Sequence, residues 1–234
     1  ACAFPHVTVV ISRVLQRYCR EVYGYETKYV TNGVTPAIAP PGEMLAAWTL
    51  EKEKYLIMMS RLIPHKGAHL LVKAWRQLRD ERAPVIDGLK LVIAGGSHFT
   101  DEYVRELHEM AQHDPTIVFT DWVKGLQVVE LVSNCKLFVH PSDVEGLPIG
   151  VLEAMAIAKP VLLSDIVEHR EVLPDPRFWF KHGDASDLAS LLRTLLASPE
   201  LLAEASAYNQ ARAAKEYNWK TIAAELETVY QRSY

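Results

Sequence analysis

Two cations and two carboxylates stand out as residues able to do chemistry. Arg61 and Lys66 lie five residues apart, and Glu145 and Glu153 eight apart. A guanidinium can fork onto two phosphate oxygens, and an ammonium adds a compact point charge. Carboxylates accept hydrogen bonds from hydroxyl donors, the groups that a sugar or ribose presents. At ~100° per helical residue, two acids eight positions apart would fall on neighbouring faces of one helix. The local sequence favours a different placement. Gly146 and Pro148 break the segment, so Glu145 is predicted in a loop and Glu153 one turn into a helix. Taken singly, Glu145 reads equally well as a helix N-terminal acid and Glu153 as a solvated helix face, while Arg61 and Lys66 read less readily as ordinary surface cations.

Those residues need a frame, and the hydrophobic pattern supplies one. Short β-branched runs alternate with amphipathic stretches, the signature of a doubly wound, parallel α/β sheet of Rossmann-like type. Strands are predicted at 7–12, 27–30, 55–59, 89–94, 117–120, 136–140, 160–164 and 178–180. Helices are predicted at 13–23, 67–82, 101–112, 127–133, 149–157, 187–197, 200–217 and 219–231. Pro36, Pro40 and Pro41-Gly42 interrupt residues 35–50, which read as a linker. In such sheets ligands bind beyond the carboxyl ends of the strands. That rule singles out Ser60-Arg61, Gly95-Gly96, Asp121-Trp122, Pro141-Ser142 and Ser164-Asp165.

Composition narrows the chemistry further. The chain has 234 residues, 49% of them hydrophobic, and a net charge of -4, which argues against nonspecific nucleic-acid binding. The three cysteines, Cys2, Cys19 and Cys135, form no Cys-x-x-Cys pair. Neither a structural zinc nor a disulfide framework is expected, and a reducing cytoplasm fits. The nine histidines form no His-Glu-x-x-His motif. Gly95-Gly96 is not a dinucleotide fingerprint, because Ser97-His98-Phe99 follows it.

Three segments then carry a resemblance. They are Ser60-Arg61-Leu62-Ile63-Pro64-His65-Lys66-Gly67, Leu91-Val92-Ile93-Ala94-Gly95-Gly96, and the run from Pro141 to Ala156 followed by Lys159-Pro160-Val161. In this order they resemble the group-1 (family 4) retaining glycosyltransferases, and specifically the C-terminal, donor-binding half of their GT-B fold. Thr31-Asn32-Gly33-Val34 is similar to the family's inter-domain junction. The resemblance implies a UDP- or GDP-sugar donor and no metal or other cofactor. It implies Arg61 and Lys66 as the diphosphate clamp, Glu145 at the transferring sugar as the catalytic carboxylate, and Glu153 at the ribose hydroxyls. Gly146, Leu147 and Ile149 would offer backbone donors, and Trp122-Val123 would flank the base. Pro148 departs from the usual pattern and removes one amide donor. Asp165-Ile166-Val167-Glu168-His169 stands where many relatives carry a glycine pair.

By the same resemblance, residues 1–34 are the tail of an N-terminal acceptor-side domain and 35–50 the linker. Residues 51–217 form the donor domain and 218–234 a crossover helix. The chain opens on Ala1, which points to a piece of a longer protein. By itself it is expected to bind donor and transfer little sugar. The strand 7–11, left without its sheet, would then pack on a second copy or fold back on the donor domain. The longer protein would sit in the cytoplasm, with peripheral membrane association as one option. A nucleotide-sugar epimerase of the same architecture and a non-catalytic donor-binding module are the competing readings.

Overall fold

The computed structural model describes residues 5–231. An N-terminal unit holds β1 (Val9–Val10), α1 (Arg13–Tyr23) and β2 (Lys28–Tyr29), followed by α2 (Glu43–Ala47). The main unit begins with β3 (Tyr55–Met59), α3 (Ala68–Asp80), β4 (Lys90–Ala94), α4 (Asp101–Ala111) and β5 (Ile117–Phe119). It continues with α5 (Leu126–Asn134), β6 (Leu137–His140), α6 (Ile149–Ala156), β7 (Val161–Ser164) and α7 (Val167–Val172). It closes with β8 (Trp179–Phe180), α8 (Ala185–Leu196), α9 (Pro199–Glu216) and α10 (Trp219–Gln231). No helix among the described residues is long and apolar enough to cross a membrane.

The main sheet has six parallel strands in the order β5-β4-β3-β6-β7-β8. This is the doubly wound, Rossmann-like arrangement that the pattern predicts. A sheet covered on both faces needs apolar residues at every position rather than at alternate ones. The strands comply: Tyr55 to Met58, Leu91 to Ala94, Leu137 to Val139 and Val161 to Leu163 are all fully buried. α3 packs against α4 and α8, and α6 against α9, so two groups of helices flank the sheet. Trp75 is fully enclosed on α3, and its indole N–H donates to Thr116 Oγ1 at 3.0 Å, so the ring's one donor is met.

Two stretches differ from the sequence expectation. The presumed linker at 35–50 contains α2, a five-residue helix with Met44 and Leu45 buried. Its first turn is capped from afar: Glu130 Oε1 accepts from Gly42 N at 2.8 Å and from Leu45 N at 2.9 Å. A helix this short has no periodicity to read, and its cap lies some ninety residues away. The glycine-pair replacement at 165–169 likewise starts α7, which the pattern does not show.

The N-terminal unit folds onto the main one. β1 pairs in parallel with β2, so residues 9–10 are a paired strand. Ser12 caps α1 through its hydroxyl, which accepts from Leu15 N at 3.2 Å, and Gly24 ends the helix in the left-handed region at φ 62. Glu171 on α7 supplies a second cap, accepting from Arg13 N at 2.8 Å and Val14 N at 3.1 Å. Val34 N donates to Tyr217 O at 2.9 Å. Gly33 is pressed against Trp219 so closely that a Cβ there would stand 2.6 Å from the indole. Of the three cysteines, Cys2 lies outside the described residues.

Candidate active site

β3 and β6 are neighbours in the sheet, yet the chain leaves them in opposite directions, toward β4 and toward β7. That is the topological switch point, where the two loops diverge and leave a crevice. The β3 loop carries Ser60 to Gly67, and the β6 loop carries Pro141 to Pro148.

The two loops are bound together at their base. Asp143 N donates to His65 O at 2.9 Å. Gly67 sits at φ 76, and a Cβ there would lie 2.0 Å from the Pro141 carbonyl oxygen. Only glycine lets the backbones approach this closely. Gly95, at the end of the neighbouring β4, allows a similar approach at φ 141, with a hypothetical Cβ 1.8 Å from Ser60 O.

This closure brings Lys66 onto Glu145. The ammonium Nζ lies 2.5 Å from Glu145 Oε1, with only 14% and 8% of the two side chains exposed. His140 Nε2 reaches the same oxygen at 2.8 Å, and Ser142 Oγ lies 3.2 Å from that nitrogen. Burial by itself would raise the Glu145 pKa. His140, through its hydrogen bond, then Lys66 and Ser142, overcome that and hold the carboxyl far below the usual range. Beneath His140 lies His169, fully buried, its ring 5.4 Å away and edge-on. Its Nδ1 meets Ser164 Oγ at 2.9 Å and Ser164 O at 3.0 Å. Burial pulls its pKa down to about 3.

Arg61 and Glu153 are not joined to this cluster. Arg61 is exposed just past the end of β3, and among the described residues its guanidinium has no hydrogen-bond or ion-pair partner. Glu153 lies in the second turn of α6 and keeps more than a third of its surface exposed. Partial withdrawal from water, with no cation to compensate, raises its pKa. It lines a cavity of about 260 Å³ together with Thr35, Ala37, Gly125, Val128 and Ile157. None of Arg61, Lys66 and Glu145 lines that cavity.

The remaining predicted positions are placed as follows. Gly146 and Ile149 are exposed and Leu147 is half-buried against the core. Pro148 is the N-cap of α6, so Ile149 and Gly150 hold amides without an intrahelical partner. Trp122 is 58% exposed, with its indole Nε1 only 2.4 Å from where a Gly96 Cβ would stand. It lies against the glycine, while Val123 packs against the core.

His140, Glu145 and His169 bring one ligating atom each within 4.8 Å of one another. A tetrahedral zinc with bonds of about 2.0 Å would want those atoms roughly 3.3 Å apart. The Lys66 ammonium already rests on the carboxylate, so a side chain supplies this cluster's positive charge. His140 and His169 are the site residues that sequence reasoning misses. The available signal is position: His140 is the last residue of β6, and His169 lies five residues past the end of β7.

The family model for group 1 glycosyl transferases matches residues 43–212. The chain belongs to that family. Among its curated relatives, the alpha-maltose-1-phosphate synthase of Mycolicibacterium smegmatis is 29% identical over 226 residues, covering 87% of this chain and 56% of the relative. The N,N'-diacetylbacillosaminyl-diphospho-undecaprenol alpha-1,3-N-acetylgalactosaminyltransferase of Campylobacter jejuni is 28% identical over 195 residues, covering 78% of this chain and 46% of the relative. The chain thus spans about half the length of the curated relatives it matches. Among solved structures, Anabaena HepE in complex with UDP and glucose superposes with a TM-score of 0.88 at 22% identity, covering 99% of this chain and 65% of that one. The same protein with UDP-glucose gives 0.85 at 21%, again over 99% and 65%. The group 1 chain therefore shares the α/β, Rossmann-like fold of a GT-B glycosyltransferase domain.

Proposed function

We propose that this chain binds the nucleotide-diphosphate-sugar donor of a retaining glycosyl transfer, with a further domain of the longer protein closing the crevice over the acceptor. The observation that carries the reading is the Lys66–Glu145–His140 centre at the switch point, with Arg61 left free on the same β3 loop. Lys66 has three donor hydrogens, and Glu145 takes one. The others, with the Arg61 fork and the Ile149 and Gly150 amides, form a cationic seat for a diphosphate. As the sugar C1–O bond breaks, negative charge grows on the departing diphosphate. A seat fixed beforehand stabilises that state more than the ground state. Glu145 faces the transferring sugar, and Glu153 receives the ribose hydroxyls from the cavity wall. Trp122, Val123, Gly146 and Leu147 line the approach to the base and the sugar. Retention follows if the acceptor hydroxyl attacks on the face that the diphosphate leaves. Neither step calls for a metal, because the cations are side chains.

UDP-sugars are the first donors to test, since the superposing Anabaena protein is described with UDP and UDP-glucose. GDP-sugars would use the same clamp. One relative's name includes a diphospho-undecaprenol, which supports a lipid-linked acceptor. A half-crevice leaves water at the reacting carbon, so transfer by this chain unaided should be slight.

Calorimetric titration with UDP, UDP-glucose, GDP-mannose, uridine and guanosine tests the reading. Arg61→Ala is expected to weaken the diphosphates about tenfold and to leave the nucleosides unchanged. Glu153→Ala should weaken all five to a similar degree. Equal losses for nucleosides and diphosphates in Arg61→Ala would sink the clamp.

A further inference from the structure

We propose that His140 is a positioning residue, holding Glu145 Oε1 against the Lys66 ammonium so that Oε2 is left for the donor. This rests on the reading of Glu145 as the carboxylate that meets the sugar.

The hydrogen positions follow from what each atom can do. An ionised carboxylate only accepts hydrogen bonds, so His140 Nε2, 2.8 Å from Oε1, must carry a hydrogen. Ser142 Oγ, 3.2 Å from the same nitrogen, takes a second share of it. The other nitrogen, Nδ1, is buried without a partner, so nothing else competes to set the tautomer. His169 obeys the same logic with the opposite nitrogen. The Ser164 carbonyl only accepts, so Nδ1 at 3.0 Å carries the hydrogen, and Nε2 is left buried and unpartnered.

The His140 ring is fixed by packing as well. Phe138 stacks along it at 6.3 Å and 19°, and His169 meets it edge-on at 5.4 Å and 67°. Ser164 Oγ donates to Ser142 O at 2.5 Å, which ties the end of β7 to the loop that bears Glu145. The titratable groups facing His140 are therefore Glu145, Lys66 and His169, contributed by the β6 loop, the β3 loop and α7. Lys66 alone could hold Glu145 from one side, but a four-carbon stem with rotatable donors fixes no direction. The imidazole is rigid and buried, and with the ammonium it pins one oxygen from two directions.

The test needs no ligand. In the chain labelled with 15N-histidine and 13C-glutamate, NMR reads each imidazole tautomer and the Glu145 carboxyl titration. The expected spectrum has His140 as the Nε2–H form, His169 as the Nδ1–H form, and Glu145 ionised well below the ordinary glutamate range. His140→Phe keeps the ring volume and the stack on Phe138 but removes the donor. It should raise the proton affinity of Glu145 at least tenfold. His140→Gln, whose amide N–H can reach the place of Nε2, should restore at least half of that shift on a logarithmic scale. An unchanged His169 tautomer in each variant reports an intact fold. An unmoved Glu145 titration in His140→Phe, or a wild-type His140 found as Nδ1–H, would overturn the proposal. Because no donor is present, that failure leaves the titrations of nucleotides to judge the role of the site itself.

Discussion

At Gly67 one missing methyl group decides whether the β3 and β6 loops can meet. Its φ of 76 is strained for any other residue, and the Pro141 carbonyl oxygen stands 2.0 Å from where a Cβ would be. Because the obstacle is backbone, no side-chain rotation can relieve it. Gly67→Ala is expected to destabilise the fold by about 2–3 kcal/mol, combining backbone strain with overpacking. It should also separate Lys66 from Glu145. Chemical denaturation would measure the first effect. A Glu145 carboxyl titration moving up toward ordinary values would report the second.

Among the elements, α7 has two roles that its sequence hides. Its His169 lies under the His140 ring, and its Glu171 accepts from the first amides of α1. One six-residue helix thus braces the site and anchors the N-terminal unit. Removing the Glu171 carboxylate leaves Ser12 as the remaining side-chain cap of α1, a loss of about 1 kcal/mol. That energy is small for the whole fold but large for a unit whose helix buries no residue fully. Glu171→Ala should leave the global unfolding midpoint within a few degrees of the wild type. It should also speed proteolysis or amide exchange across residues 13–23. Exchange rates unchanged there would show that β1–β2 pairing and Tyr217 hold the unit unaided.

For the molecule as a whole, acid stability is where the buried site becomes visible. His169 is fully enclosed, and its pKa falls from an unfolded value of 6.5 to about 3. The unfolded chain therefore binds one more proton than the folded chain between those limits. Stability is full above about pH 6.5 and falls as the pH drops toward 3, by up to about 1.4 kcal/mol per unit. Glu145, whose folded pKa is depressed from 4.5, adds a second loss that begins below that value. His169→Phe should flatten the decline between pH 6.5 and about 4.5 and lessen it below that, where the loss from Glu145 remains. Urea midpoints at pH 7.5, 5.5 and 4 would separate the two. An unchanged slope between 7.5 and 5.5 would show that His169 is not the group being titrated.

Local pattern carries far in this chain. Buried parallel strands must be apolar throughout, so β3, β4, β6 and β7 were legible within a residue or so, and with them the class of sheet. The placement of Glu145 in a loop and Glu153 on a helix was legible too, because glycine and proline act on their own neighbourhood. Pairing across the sheet was not. Glu145 meeting Lys66, 79 residues earlier, depends on β3 and β6 lying side by side. The same holds for Glu130 capping α2 and Glu171 capping α1. His140 and His169 read as incidental in a string of letters, since a lone histidine has no spacing to interpret. Sequence sets which residues can ionise, donate or bend the chain. Which of them meet is decided by burial and strand order, since a carboxylate's proton affinity depends on neighbours that only the folded backbone brings within 3 Å.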